Sequence, residues 1–279
     1  MIKETFGAVG HAARGLFRGW GGLALLHALY AALLAAVYWF FATGVATVTQ
    51  LVVSGLTFAL APVLFVVLQA AAAHFAVGEA RPGALLLRAL RDSWKVLVVS
   101  LPVVAVGVGL VYLLGYLPET DDAARAAATF GVPGVRPRPL HWQDALASTL
   151  WLLTLGFALP LMAAHLWLSV ARDGLKATLR RFHRVVGRAF LPRSVLVYTV
   201  GLLCFALMPY FIIFTRTPVK AAWGELVLFG LRLALAFVFT LWGWAITLGA
   251  LAALTKAAPH EAAAPTTPEP AAGEPQLQT

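Results

Sequence analysis

The chain has 279 residues, 61% of them hydrophobic and only 12% charged, against about 25% charged in soluble domains, so an ordinary soluble globular protein is excluded. A formal net charge of +9 would suit a nucleic-acid binder only on a solvated basic surface, and here the Lys and Arg residues lie between long apolar runs, so the partner they imply is the anionic lipid headgroup. A single cysteine, Cys204, sits inside an apolar run and excludes an intrachain disulfide or a cysteine metal cluster.

Residues 1–20 place Phe6, Val9, Ala13, Phe17 and Trp20 at helical spacing opposite Lys3, His11, Arg14 and Arg18, which predicts an amphipathic surface helix. The apolar run 21–42 is longer than a signal-peptide core and ends in Tyr38, Trp39, Phe40 and Phe41, with no small-x-small cleavage site after it. It reads as a retained first span with an aromatic interfacial belt. No residue from Gly19 to Gly78 carries a fixed charge, far more than the roughly 20 residues that one crossing needs. The chain therefore turns at the polar cluster Thr43 to Gln50, and a second span covers 51–77 with Pro62 inside it.

Glu79, Arg81, Arg88, Arg91, Asp92 and Lys95 return the chain to water, with Leu86, Leu87, Leu90 and Trp94 on one side, before a third span at 96–117. Pro118 to Asp144 is the longest polar loop, and the fourth span, 145–171, contains Pro160 and His165. The stretch from Arg172 to Arg193 then holds seven of the 21 basic residues. Arg172, Lys176, Arg180, Arg184 and Arg188 recur every fourth position with Arg181 beside them, and Leu175, Leu179, Phe182, Val186 and Phe190 follow the other face. This predicts one basic amphipathic helix lying on the membrane surface between two spans. A fifth span at 194–214 and a sixth at 226–254 follow, the sixth carrying Arg232, and residues 257–279 have the Ala, Pro, Glu and Thr composition of a disordered tail.

The fold class is thus all-α, a polytopic membrane protein with six transmembrane helices and basic amphipathic surface helices. Orientation follows from counting: 15 basic residues flank the spans on the side that holds both termini, and 5 lie in the two charged loops opposite. The positive-inside rule makes the first side cytoplasmic, in a bacterial-type inner membrane. Phe58 to Pro62 (FALAP) is echoed by Phe157 to Pro160 (FALP), and LRALR at 87–91 by LRRFHR at 179–184. These echoes are compatible with a parallel repeat of a hairpin about the membrane normal.

The layout of six spans with basic segments after the second and fourth, LLLRALRDSWKVL and LKATLRRFHRVVGRAFL, resembles the membrane domain attached to some bacterial glycerophosphodiester phosphodiesterases and related stand-alone six-span families. The resembling region is about 20–255. In that family the hydrolase chemistry belongs to a separate soluble domain, which this chain lacks, so the resemblance implies a membrane role and no phosphodiesterase activity.

No catalytic, cofactor or metal set emerges from the residues. His27, His74 and His165 lie in three different spans without an HxxxH, HxH or close His-acid pair, so they read as interfacial or core histidines. Asp121, Asp122, Asp144 and His141 share a polar loop with no motif to fix their geometry. Gly107, Gly109 and the Gly201 region read as close helix packing rather than a nucleotide loop. The candidate lipid or partner surface is Arg172, Lys176, Arg180, Arg181, Arg184 and Arg188 together with Arg88, Arg91 and Lys95. Arg232, two helical turns after Glu225, and His165 are the candidate functional groups within the spans. Two function classes follow. One is a non-catalytic membrane module whose basic helices contact anionic phospholipid or a membrane or cytoplasmic protein partner. The other is a small permease or transporter subunit for a lipid-like or hydrophobic solute.

Overall fold

In lipid every backbone N–H and C=O must be paired within the segment, so apolar runs of this length fold as helices. The computed structural model describes residues 2–44, 46–114, 142–215 and 221–261, and within them six helices are long and apolar enough to cross a membrane: Trp20–Ala42, Val48–Ala76, Pro82–Leu113, Ala145–Asp173, Pro192–Phe214 and Trp223–Thr255. The protein is an all-α polytopic membrane protein. Its elements are α1 (Ile2–Arg18), α2 (Trp20–Ala42), α3 (Val48–Ala76), α4 (Pro82–Leu114), α5 (Trp142–Trp151), α6 (Leu159–Asp173), α7 (Leu175–Arg180), α8 (Phe182–Ala189), α9 (Pro192–Leu202), α10 (Met208–Phe214) and α11 (Ala222–Glu261). Two π-helical segments interrupt the series, Leu152–Ala158 between α5 and α6 and Leu203–Leu207 between α9 and α10. The expected turn at 43–50 is present. Thr47 Oγ1 accepts from the Gln50 N–H while Gln50 Oε1 accepts from the Thr47 N–H, a reciprocal cap that starts the second span.

Four expectations change in detail. The basic residues 81–95 do not form a separate surface segment: α4 runs unbroken through them into the third span, because no glycine or proline intervenes between Gly83 and Pro102. The stretch 172–193 is not one helix. Gly174, at φ +80°, turns the chain off α6, a break at Arg181 separates α7 from α8, and Pro192 starts α9. The face of α1 that packs inward is Thr5, Ala8, Val9, Ala12 and Leu16, whereas Phe6, Phe17 and Trp20 are exposed. Finally, α11 continues to Glu261, so 257–261 are helical; the rest of the expected tail and most of the 118–144 loop, with Asp121, Asp122 and His141, lie outside the described residues.

With alternating spans, α1, the start of α4, α7, α8 and the start of α9 gather at one end of the bundle, the basic end, where Arg193 lies 3.4 Å from Glu4 and Arg172 donates to Thr255. Packing is tightest in this half. Ala70 to Ala73 of α3, Leu161 to Val170 of α6, and Leu248, Ala250 and Leu251 of α11 form one buried cluster in which the small side chains let backbones approach. Towards the opposite end, Val52, Phe58, Leu226 and Leu231 are exposed, as lipid-facing residues are. Three indole N–H groups tie helices across the bundle: Trp167 to Ser100 Oγ, Trp244 to Gln69 Oε1 and Trp242 to His27 Nε2.

Candidate functional site

The segment after the fourth span folds back on α6 rather than lying free. Thr178 Oγ1 donates to the Gly174 carbonyl and sits 3.0 Å from Ser169 Oγ, while Leu175, Phe182 and Val185 pack against the core and Ala189 is fully buried. Of the expected apolar stripe, Leu175 and Phe182 therefore meet protein, and Leu179 and Phe190 remain exposed. The cations divide into two sets. Lys176 and Arg180 project outward, whereas Arg181, Arg184 and Arg188 of the α8 region join Arg172, His165, Ser169 and Thr255 around a cavity of about 370 Å³. Asp173 is the acid in this wall, and Arg172 already contacts it at 3.1 Å. Among the described residues, Lys176, Arg180, Arg181, Arg184 and Arg188 have no acidic partner.

His165 lies on the buried side of that cavity, only 3% exposed, and its Nε2 has no hydrogen-bond partner among the described residues. Eight residues separate it from the end of α6, about 12 Å along the helix axis. The other histidines of the spans are satisfied. His27 Nδ1 donates to the Leu23 carbonyl, leaving Nε2 to accept from Trp242. His74 Nε2 faces Asp92 Oδ2 at 3.0 Å, and since a carboxylate only accepts, the ring donates.

The second basic segment is neutralised by its own acids. Lys95 Nζ reaches Asp92 Oδ1 at 2.6 Å, Arg91 lies 3.6 Å from the same oxygen, and Arg88 pairs with Glu79 at 2.8 Å. Arg88 and Arg91 remain largely exposed, but Lys95 is held inward by Asp92. Arg232 joins neither group: it is half-buried in α11, 23 residues before Thr255 and so about 35 Å away along the helix. The His74–Asp92 pair was invisible to spacing within a span, because its members are 18 positions apart on neighbouring helices.

A second, larger cavity of about 830 Å³ opens between the helices beyond Trp167, lined almost wholly by apolar groups such as Leu155, Phe157, Leu203 and Trp244. Both π-helical segments border it, and such segments are frequent at functional positions. The sequence cause of the first, 152–158, is local. Pro160 cannot donate to the Gly156 carbonyl one turn earlier, and that carbonyl instead accepts from the Tyr198 hydroxyl at 3.3 Å. Among the described residues no three His, Cys, Asp or Glu side chains converge as metal ligands would. Compared with known proteins, the chain matches no family model, no curated protein and no solved structure.

Proposed function

We propose that this chain is a non-catalytic module of a bacterial-type cytoplasmic membrane, with both termini cytoplasmic, whose basic segment after the fourth span holds anionic phospholipid. The observation that carries the reading is the contrast between the two basic segments. Arg88, Arg91 and Lys95 are balanced by Glu79 and Asp92, while five cations between Lys176 and Arg188 have no acid beside them among the described residues. A cation near an anionic surface is worth about 1 kcal/mol. Replacing Arg180, Arg184 and Arg188 by Gln should therefore lower the preference of the full chain for phosphatidylglycerol over phosphatidylcholine by roughly one to two orders of magnitude at low salt, with the preference of the parent also shrinking as salt rises. Lipid retained by the purified protein, quantified by mass spectrometry, checks this. Equal retention of the two lipids by the parent would remove the proposal.

The orientation has its own test, motivated by the 15-to-5 distribution of basic residues. A reporter that fluoresces only in the cytoplasm should be bright at the C-terminus and dark when inserted within 118–141. Light from the loop insertion would reverse the topology.

A second reading, a permease for a lipid-like or hydrophobic solute, is favoured by one feature: the 830 Å³ apolar cavity flanked by the two π-helical segments. A cavity of this size and lining accepts acyl or other hydrocarbon groups. The family resemblance rests on the layout of spans and basic segments and adds a membrane role to either reading.

A further inference from the structure

We infer that the cavity between the basic end of α6 and α8 is a phosphate-binding site, in which Arg172, Arg181, Arg184 and Arg188 supply the positive wall and the His165 imidazole is the buried hydrogen-bonding group. This rests on the lipid-binding reading above and gives it a defined place, since the diffuse attraction of an anionic surface requires no cavity.

Three independent features point to such a ligand. The first is His165 itself. Burying a polar group without a partner is unfavourable, and the two other histidines within the spans are satisfied by Leu23, Trp242 and Asp92. His165 alone among these three presents a buried ring nitrogen with no protein partner among the described residues, and it does so where the cations gather.

The second is the identity and balance of the charges. All four cations in the wall are arginines, whose planar forks match phosphate oxygens in pairs, whereas the lysine of this segment, Lys176, lies outside the cavity. Asp173 is shared with Arg172, so the wall keeps a positive excess that an anion with several acceptor oxygens would neutralise. The third is size. About 370 Å³ is far more than the ~30 Å³ share of one water and accommodates a phosphate with a glycerol-sized substituent. The cavity also lies at the basic end of the bundle, between the end of α6 and a point about 12 Å inside it. A phospholipid headgroup and a soluble phosphate present the same chemistry to this wall.

The experiment compares two double variants that remove the same charge. Arg184→Gln with Arg188→Gln strips the cavity, and Lys176→Gln with Arg180→Gln strips the outer face. His165→Phe keeps the bulk and removes the hydrogen bond, and Arg184→Lys with Arg188→Lys keeps the charge without the forks. Each full-length protein is measured in two ways. One is retention of phosphatidate against phosphatidylcholine by native mass spectrometry. The other is the thermal-unfolding shift given by inorganic phosphate against chloride at matched ionic strength in phosphatidylcholine nanodiscs.

The cavity pair and His165→Phe should each weaken binding about tenfold or more, which is about 1.4 kcal/mol, and the lysine pair should fall between them and the parent. The outer pair should stay within about twofold of the parent in the inorganic-phosphate arm, and in the phosphatidate arm, where surface attraction also counts, it should lose less than the cavity pair. A response in the phosphatidate arm identifies a lipid headgroup, and a response only to inorganic phosphate identifies a soluble ligand. Equal losses in the cavity and outer pairs would overturn the site and leave surface attraction of lipid intact. Absence of any phosphate or phosphatidate preference in the parent would overturn both. If His165→Phe does not fold, the contrast between the two Gln pairs, both made at exposed side chains, still decides the matter.

Discussion

Asp92→Ala should destabilise the folded protein by about 3 kcal/mol, the cost expected when one partner of a buried charged pair is removed. The Asp92 carboxylate is 8% exposed and answers three groups at once: His74 at 3.0 Å, Lys95 at 2.6 Å and Arg91 at 3.6 Å. Truncating it leaves the equally buried His74 ring facing an empty space and Lys95 facing no anion. Asp92→Asn should cost less, since one amide oxygen still accepts. His74→Leu combined with Asp92→Leu should recover much of the loss, because apolar side chains of similar volume need no partner in this position. Equilibrium unfolding of the detergent-solubilised protein by SDS checks the order. An Asp92→Ala protein within about 0.5 kcal/mol of the parent, the range of an ordinary surface change, would show that the pair does not hold α3 to α4.

Gly243→Val should be at least as damaging, for a steric reason. Gly243 of α11 is pressed against the π-helical segment 203–207, and a Cβ there would stand 2.9 Å from the Phe205 backbone nitrogen and 3.1 Å from the Cys204 carbonyl carbon. Backbone atoms cannot rotate away as a side chain can, so α11 would have to move off the fifth span. Overpacking of this kind costs typically 1–3 kcal/mol, and the branched side chain places the loss at or above the upper figure. Gly243→Ala is a graded companion: its gain of about 1 kcal/mol in helix propensity offsets part of the clash. Gly109→Ala is the control, since nothing lies within 4 Å of a Cβ at that position. Unfolding measured as for Asp92 should therefore rank Gly243→Val below Gly243→Ala, and that below Gly109→Ala, and equal stability of all three would refute the close contact.

Gly243 and Asp92 differ in how far the sequence foreshadows their contacts. Gly201 reads as a packing glycine from the chain alone, and a Cβ on it would indeed overlap the Thr247 side chain of α11, but the contact with backbone at Gly243 carries no mark beyond a lone glycine between Trp242 and Trp244. Asp92 reads as one acid in a polar stretch that returns the chain to water. Its burial becomes visible only when α3 and α4 are laid side by side and His74 arrives opposite it.

The sequence by itself determined the number of spans, their limits to within a few residues except where α4 and α11 begin or end, and the turn at Thr47, because a hydrocarbon layer of fixed thickness permits only helices of a certain length and composition. It also determined which segments carry the cations. Only the tertiary structure decided which apolar faces meet protein and which meet lipid, since lipid tails are as apolar as leucine and hydrophobic periodicity cannot separate the two. That is why Phe6 of α1 faces outward while Thr5 and Leu16 are buried, and why the stripe from Leu175 to Phe190 divides between core and surface. It is also why the cavity of His165, Arg181, Arg184 and Arg188 could not be read from the chain: a continuous helix over 172–193 would have spread these cations along one face, and the turns at Gly174 and Arg181 fold them back onto α6 instead.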